Sequence, residues 1–273
     1  MSCSKMTPTA DPPSLSTDSL QKEVKCLANF PLELISEIGS HLALDDIKTY
    51  RLINKFFAEA VKISFMKAIG NGRNVYARYA SMAKFISLIQ CFPLLAQNTK
   101  EICLVKDGLQ EHLYRSEWAW ELQMYKENWT FTEEDGAIIR KIAGDHENEM
   151  FEHAAHFYNG GGYRAMLTQL LRLLPNVSKL YVRKLSPGEH IAGWTDTDKF
   201  KQLSFYKPEL DSFIHSIYYG DWEYDTVHLR KTHYIDEWGN NIIEPNAGPQ
   251  ASFRDDFAAA RAASGFADQV IIL

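Results

Sequence analysis

Cysteine is scarce in this chain: four residues out of 273, at Cys3, Cys26, Cys91 and Cys103, far apart and with no Cys-x-x-Cys pair. They read as free thiols of a reducing compartment rather than as a disulfide framework. Long apolar runs are absent too. Nothing approaches the roughly 18 residues that a bilayer-spanning helix needs. The first 25 residues hold no apolar stretch, so no secretory signal is expected, and Ser2 excludes myristoylation. Basic charge is in deficit, with 29 Lys and Arg against 35 Asp and Glu for a net −6, which argues against a dedicated nucleic-acid binder. The expectation is an intracellular protein, cytoplasmic or nuclear, with neither membrane nor nucleic acid among its partners.

Catalytic motifs are equally thin. His146, His153 and His156 stand among Glu147, Glu149 and Glu152. They form no His-Glu-x-x-His, and there is no second Glu-x-x-His for a di-iron pair. Gly160-Gly161-Gly162 is followed by Tyr163 and Arg164, not by the Lys-Ser/Thr of a phosphate loop, and reads as a helix–helix connection. No Gly-x-Ser-x-Gly elbow is present. Cys103 sits in an apolar strand pattern without a neighbouring His, as a small core residue. No catalytic residue, cofactor or metal is therefore expected; an enzyme with a scattered site is the least favoured alternative.

What the chain does have is ordinary globular material, 45% hydrophobic and 23% charged, with 15 Phe, 13 Tyr and 6 Trp. Residues 1–24, rich in Ser, Thr, Pro and Lys, read as a disordered tail. Leu32, Ile35, Ile38 and Leu42 then make an amphipathic stripe behind Pro31, which suits a first helical position. Asp45 or Asp46 can cap a second helix carrying Ile47, Leu52 and Ile53. A third is expected from Lys55 to Ala68, and Asn71-Gly72 closes the unit. Beyond it, Tyr79 to Ile89, Met166 to Leu174 and Phe253 to Ala263 read as helices. Strands are expected at Glu101–Val105, Val177–Val182 and, as a buried strand, Val270–Leu273. Helix, break and short strand thus occur three times. The fold class is mainly α with short strands (α+β), with a loose helix–strand solenoid in residues 71–273. That solenoid has no polar cap after Leu273, which reads as a truncated C-terminus.

Within residues 27–69, Leu32, Leu34, Ile35, Ile38, Leu42, Leu44, Ile47, Leu52, Ile53 and Phe57 place ten large apolar side chains in 26 residues. Three short helices cannot bury them all, and an exposed remainder marks an interaction site. The residue order is also distinctive. Phe30-Pro31-Leu32-Glu33-Leu34-Ile35, then Leu42, Leu44 and Asp46-Ile47, then Arg51-Leu52-Ile53-Asn54-Lys55-Phe56-Phe57 resemble the F-box. Phe30 stands where Leu is usual and Phe56 where Arg is usual. The match covers about one sixth of the chain. Pieces such as Leu174-Pro175-Asn176-Val177 behind it look like fungal F-box proteins with leucine-rich-repeat-like regions.

The resemblance implies an F-box over residues 25–70 that docks on the Skp adaptor of an SCF-type cullin–RING ubiquitin ligase. The region behind it would present a protein substrate for ubiquitination. By motif position the docking residues would be Pro31, Leu34, Ile35, Ile38, Leu42, Leu44, Ile47, Leu52 and Ile53. The alternative is an interaction scaffold that binds the Skp adaptor outside any ligase.

Two further features bear on a substrate. Trp118, Leu122, Tyr125 and Trp129 share one helix face, as core or as a recognition groove. Trp222, Tyr224 and Trp238 lie among acidic residues and are candidate substrate-binding side chains, with partial burial as the plainer reading. Residues 101–160 hold 13 acidic and 5 basic groups, a net −8 larger than that of the whole chain. This stretch reads as solvated helix surface or as a docking surface for basic partners.

Overall fold

The computed structural model describes residues 30–110, 115–191, 197–236, 240–267 and 269–273; the expected tail, 1–24, lies outside them. The fold is mixed α+β with short strands. Two compact units divide between Val61 and Lys62. The first holds α1 (Leu32–Ser40), α2 (Leu44–Ile53) and α3 (Lys55–Ala60). The expected single helix from Lys55 to Ala68 is two. Val61 leaves helical geometry at φ −96° and ψ 10°, and its N–H bonds back to Phe57 and Glu59. A separate α4 (Lys62–Gly70) then belongs to the second unit.

The second unit continues with β1 (Arg73–Tyr76), α5 (Tyr79–Cys91), α6 (Pro93–Asn98), β2 (Glu101–Val105) and β3 (Gly108–Leu109). Then come α7 (Arg115–Glu127), α8 (Glu133–Glu149) with a π-helical extension Met150–Asn159, α9 (Gly162–Leu173) and β4 (Lys179–Arg183). A 3₁₀ turn at Thr197–Gln202 precedes α10 (Leu210–Tyr218), β5 (Tyr219–Gly220), β6 (Glu223–Asp225), β7 (Arg230–Lys231), β8 (His233–Ile235) and β9 (Asn241–Ile243). The described chain closes with β10 (Gln250–Ser252), α11 (Phe253–Ser264) and β11 (Gln269–Ile272).

Four of these strands form one sheet in the order β1-β2-β4-β11, every neighbouring pair parallel. Parallel neighbours need a crossover, and the crossovers carry helices. Helices α5, α9 and α11 lie side by side in that same order. The core between the layers takes Phe85, Ile86 and Ile89 from α5, Leu167, Leu170 and Leu171 from α9, and Ile102, Leu104, Leu180 and Val182 from the strands. Each fully buried aliphatic side chain there contributes about 1.5–3 kcal/mol. Strand β2 is buried on both faces, as its unbroken Ile-Cys-Leu-Val run requires, while β4 alternates. β11 is a correction: it is an edge strand, not a buried one, with Ile272 and Leu273 exposed.

The segments that follow β2 and β4 fold back on each other into a second core. Trp120, Ile139, Ile142, Phe200, Leu203, Ile214, Ile217 and Tyr218 fill it. The β3–β5 pair, Leu109 opposite Tyr219, joins the two segments, and Trp120 Nε1 donates to Tyr218 Oη at 2.9 Å. The two cores are tied together by the Arg78–Glu149 ion pair at 2.6 Å and by Tyr158, whose hydroxyl accepts from Leu109 N and donates to Ala77 O. Gly161, at φ +73°, makes the sharp entry to α9 that the glycine run was expected to supply. Among the described residues no helix is long and apolar enough to cross a membrane.

Candidate docking surface

The three-helix unit builds its surface from very short elements. Pro31 is the N-cap of α1 rather than its first residue, and its carbonyl accepts the Leu34 and Ile35 amides. Ala43 caps α2 without a side-chain bond. The expected caps Asp45 and Asp46 lie in the first turn, where the helix dipole favours them, and Asp45 pairs with Lys48 at 2.7 Å. Asn54 is a true N-cap of α3, its Oδ1 accepting from Phe57 N at 3.0 Å. Gly39 lets α1 approach Val61, because a Cβ there would collide with Val61 Cγ1.

The interior of this unit is small. Ile35, Phe57 and Ala60 form its core, with Tyr50 edge-on to Phe57 at 4.8 Å. The apolar residues left outside are many. Leu52 is 85% exposed, Ile53 57% and Leu34 50%, with Phe30, Leu32, Ile38 and Phe56 also exposed. Of the nine residues placed in docking by motif position, Pro31, Leu34, Ile38, Leu52 and Ile53 are on the surface, and Leu42 and Leu44 are half-buried. Ile35 and Ile47 are corrections: both are almost wholly buried, so neither side chain is available to a partner. Phe56, a departure from the motif, is exposed and adds to the apolar surface.

The candidate substrate-binding aromatics fare differently. Trp222 and Tyr224 are buried, not surface anchors. Trp222 packs against Tyr158 and Tyr163, each at 4.9 Å, and against Phe253. Tyr224 donates to Asp256 Oδ1 at 2.9 Å and accepts from Arg164 at 2.9 Å; burial beside that carboxylate pushes its phenol up to about 12. The acidic residues around them serve the scaffold. Asp221 meets Lys106, and buried Asp225 accepts from the Val227, His228 and Gly248 amides and from His228 Nδ1. Those bonds, with the His228 ring first, hold the Asp225 carboxyl well below the usual carboxylate range. Trp238 lies outside the described residues.

The expected stripe on α7 divides as well. Tyr125 is exposed, Trp118 and Trp129 are half-buried, and the fully buried ring is Trp120, one face round. Trp129 lies beyond the helix end and stacks on Phe205 at 4.9 Å. Among the described residues no group of three or more His, Cys, Asp or Glu could hold a metal ion. His146 is buried and in edge-on contact with Tyr218. Cys103 is buried and, unseen from sequence, has Arg183 beside it. Burial nevertheless pushes its thiol up, and the Arg183 guanidinium is engaged by Glu189 at 2.6 Å.

Compared with protein-family models, with curated proteins and with solved structures, the chain matches none of them.

Proposed function

We propose that the Phe30–Val61 unit is an F-box that docks on the Skp adaptor of a cullin–RING ubiquitin ligase, and that the unit behind it presents a protein substrate. The observation that supports this reading is the excess of exposed apolar side chains on three consecutive helices, with Leu34, Leu52 and Ile53 foremost. Closing a partner over them removes apolar surface from water, while association costs keep the net affinity below the summed burial. The sequential parallel strands with helices in one layer are the arrangement that a leucine-rich-repeat-like receptor would use.

The test is co-purification of the Skp adaptor with the full chain carrying Leu34→Asp and Leu52→Asp. Both side chains are exposed, so helix content by circular dichroism should be unchanged while adaptor recovery falls at least tenfold, about 1.4 kcal/mol or more. Undiminished recovery would overturn the assignment. Cullin recovered with the adaptor marks a ligase receptor; adaptor without cullin marks a scaffold.

A further inference from the structure

A groove of about 480 Å³ opens between the C-terminal end of α7 and the start of α10, and nothing described above uses it. Its floor is aromatic. Trp129 stacks on Phe205 at 4.9 Å with an interplanar angle of 25°, and Phe205 is backed in turn by Phe131, which is not among the residues lining the groove. Phe213 stands edge-on to Trp129. Its rim is charged, with Glu127 and Glu209 on one sign and Lys207 on the other, all three exposed. Among the described residues none of the three is in an ion pair. The α7 side of the groove lies in residues 101–160, which carry the acidic excess of the chain.

These features select an occupant. An acidic segment or a nucleic-acid backbone would meet two carboxylates at the rim. A purely apolar molecule would fill the floor and partly desolvate those carboxylates without bringing a cation to them; the Gln123 amide that donates to Glu127 at 3.3 Å is neutral. An arginine satisfies both: its stem lies along the rings, its guanidinium stacks on an aromatic face, and its N–H fork reaches a carboxylate. An adjacent aliphatic side chain would cover the rest of the floor. We infer that this groove binds a short peptide segment that pairs arginine with a neighbouring apolar residue. Its role as substrate capture rests on the adaptor reading; the binding itself does not.

The test uses the full chain and three fluorescein-labelled probes followed by anisotropy: Gly-Arg-Leu-Arg-Leu-Gly, its Glu-for-Arg counterpart and its Ser-for-Leu counterpart. The Arg-Leu probe should bind saturably, the Ser probe more weakly and the Glu probe not at all. Glu127→Lys and Glu209→Lys should each weaken binding about fivefold, and Lys207→Glu should tighten it by a similar factor. Glu37→Lys, the same change of net charge on an exposed position of the other unit, should leave it unchanged. No saturable binding of the Arg-Leu probe, equal binding of the Ser probe, or an equal loss with Glu37→Lys would overturn the inference. Adaptor recovery is read on different residues, so peptide binding without adaptor would sink only the docking assignment, and adaptor without peptide binding only this one.

Discussion

His190 and Asp135 each tie the stability of the Lys62–Leu273 unit to pH, in two separate windows, the lower of which Asp135 shares with Glu189 and Asp225. Burial lowers the His190 imidazole from 6.5 to about 4; His215, 5.5 Å away ring to ring, and Lys201 add to the lowering, and Asp211 opposes it. The ring stacks on Phe200 and its Nδ1 meets Tyr219 Oη at 3.0 Å. A folded pKa below the unfolded one means that folding is fully supported above pH 6.5 and loses that support as the pH falls toward 4. For Asp135 burial works upward. It is outweighed by the Ser204 amide and hydroxyl, each at 2.7 Å, and by Thr132, so the carboxyl comes down to about 2. Its support is complete above the ordinary value of 3.8 and disappears as the pH falls toward 2. The melting temperature should therefore decline first between pH 6.5 and 4 and again below 4. His190→Asn should flatten the first decline and leave the second, which thermal unfolding followed across pH 2 to 8 would show. An identical first decline in that variant would refute the role given to His190.

At the scale of elements, the caps decide where these short helices begin. Asn54→Ala removes the only side-chain cap bond among the described caps of α1, α2 and α3 and should cost about 1 kcal/mol, read as a loss of helix signal and of adaptor recovery together. Asn54→Asp, which keeps an acceptor, should restore both; a neutral alanine variant would contradict the cap. Elements were also where the sequence was most legible. The stripes of α5, α9 and α11 stand where their spacing predicts, that of α1 stops at Ser40 short of Leu42, and the runs Glu101–Val105 and Val177–Val182 lead to β2 and β4. The break at Val61 was hidden because Phe57, Ala60, Val61 and Phe65 continue a helical spacing straight across it. The docking surface was legible as a segment but not side chain by side chain. Leu34 and Ile35 are adjacent and both apolar, and only packing on Phe57 decides that the second turns inward. Trp222 and Tyr224 misled for a longer-range reason. Nearby acids suggested solvent, whereas their buried polar partner, Asp256, comes from α11, more than 30 residues along the chain.

At the scale of the molecule, each core is drawn from one unit: Ile35, Phe57 and Ala60 from the first, and residues from Met66 onward for the other two. A chain beginning at Lys62 should accordingly unfold in one cooperative transition with the midpoint of the same unit in the full chain, as followed by calorimetry. A fragment that binds hydrophobic dye and melts without a transition would show that the first unit is needed. The order of the parallel sheet has one more consequence, in time rather than in space. Each strand from β2 onward pairs with a strand already made: β2 on β1, β4 on β2, and β11 on β4, some 90 residues behind it. A chain emerging from the ribosome can thus lay down this sheet one strand at a time, without waiting for a later partner. β11, the latest of these four strands in chain order and one of the two at the sheet's edges, should accordingly exchange its amides faster than the central β2 and β4.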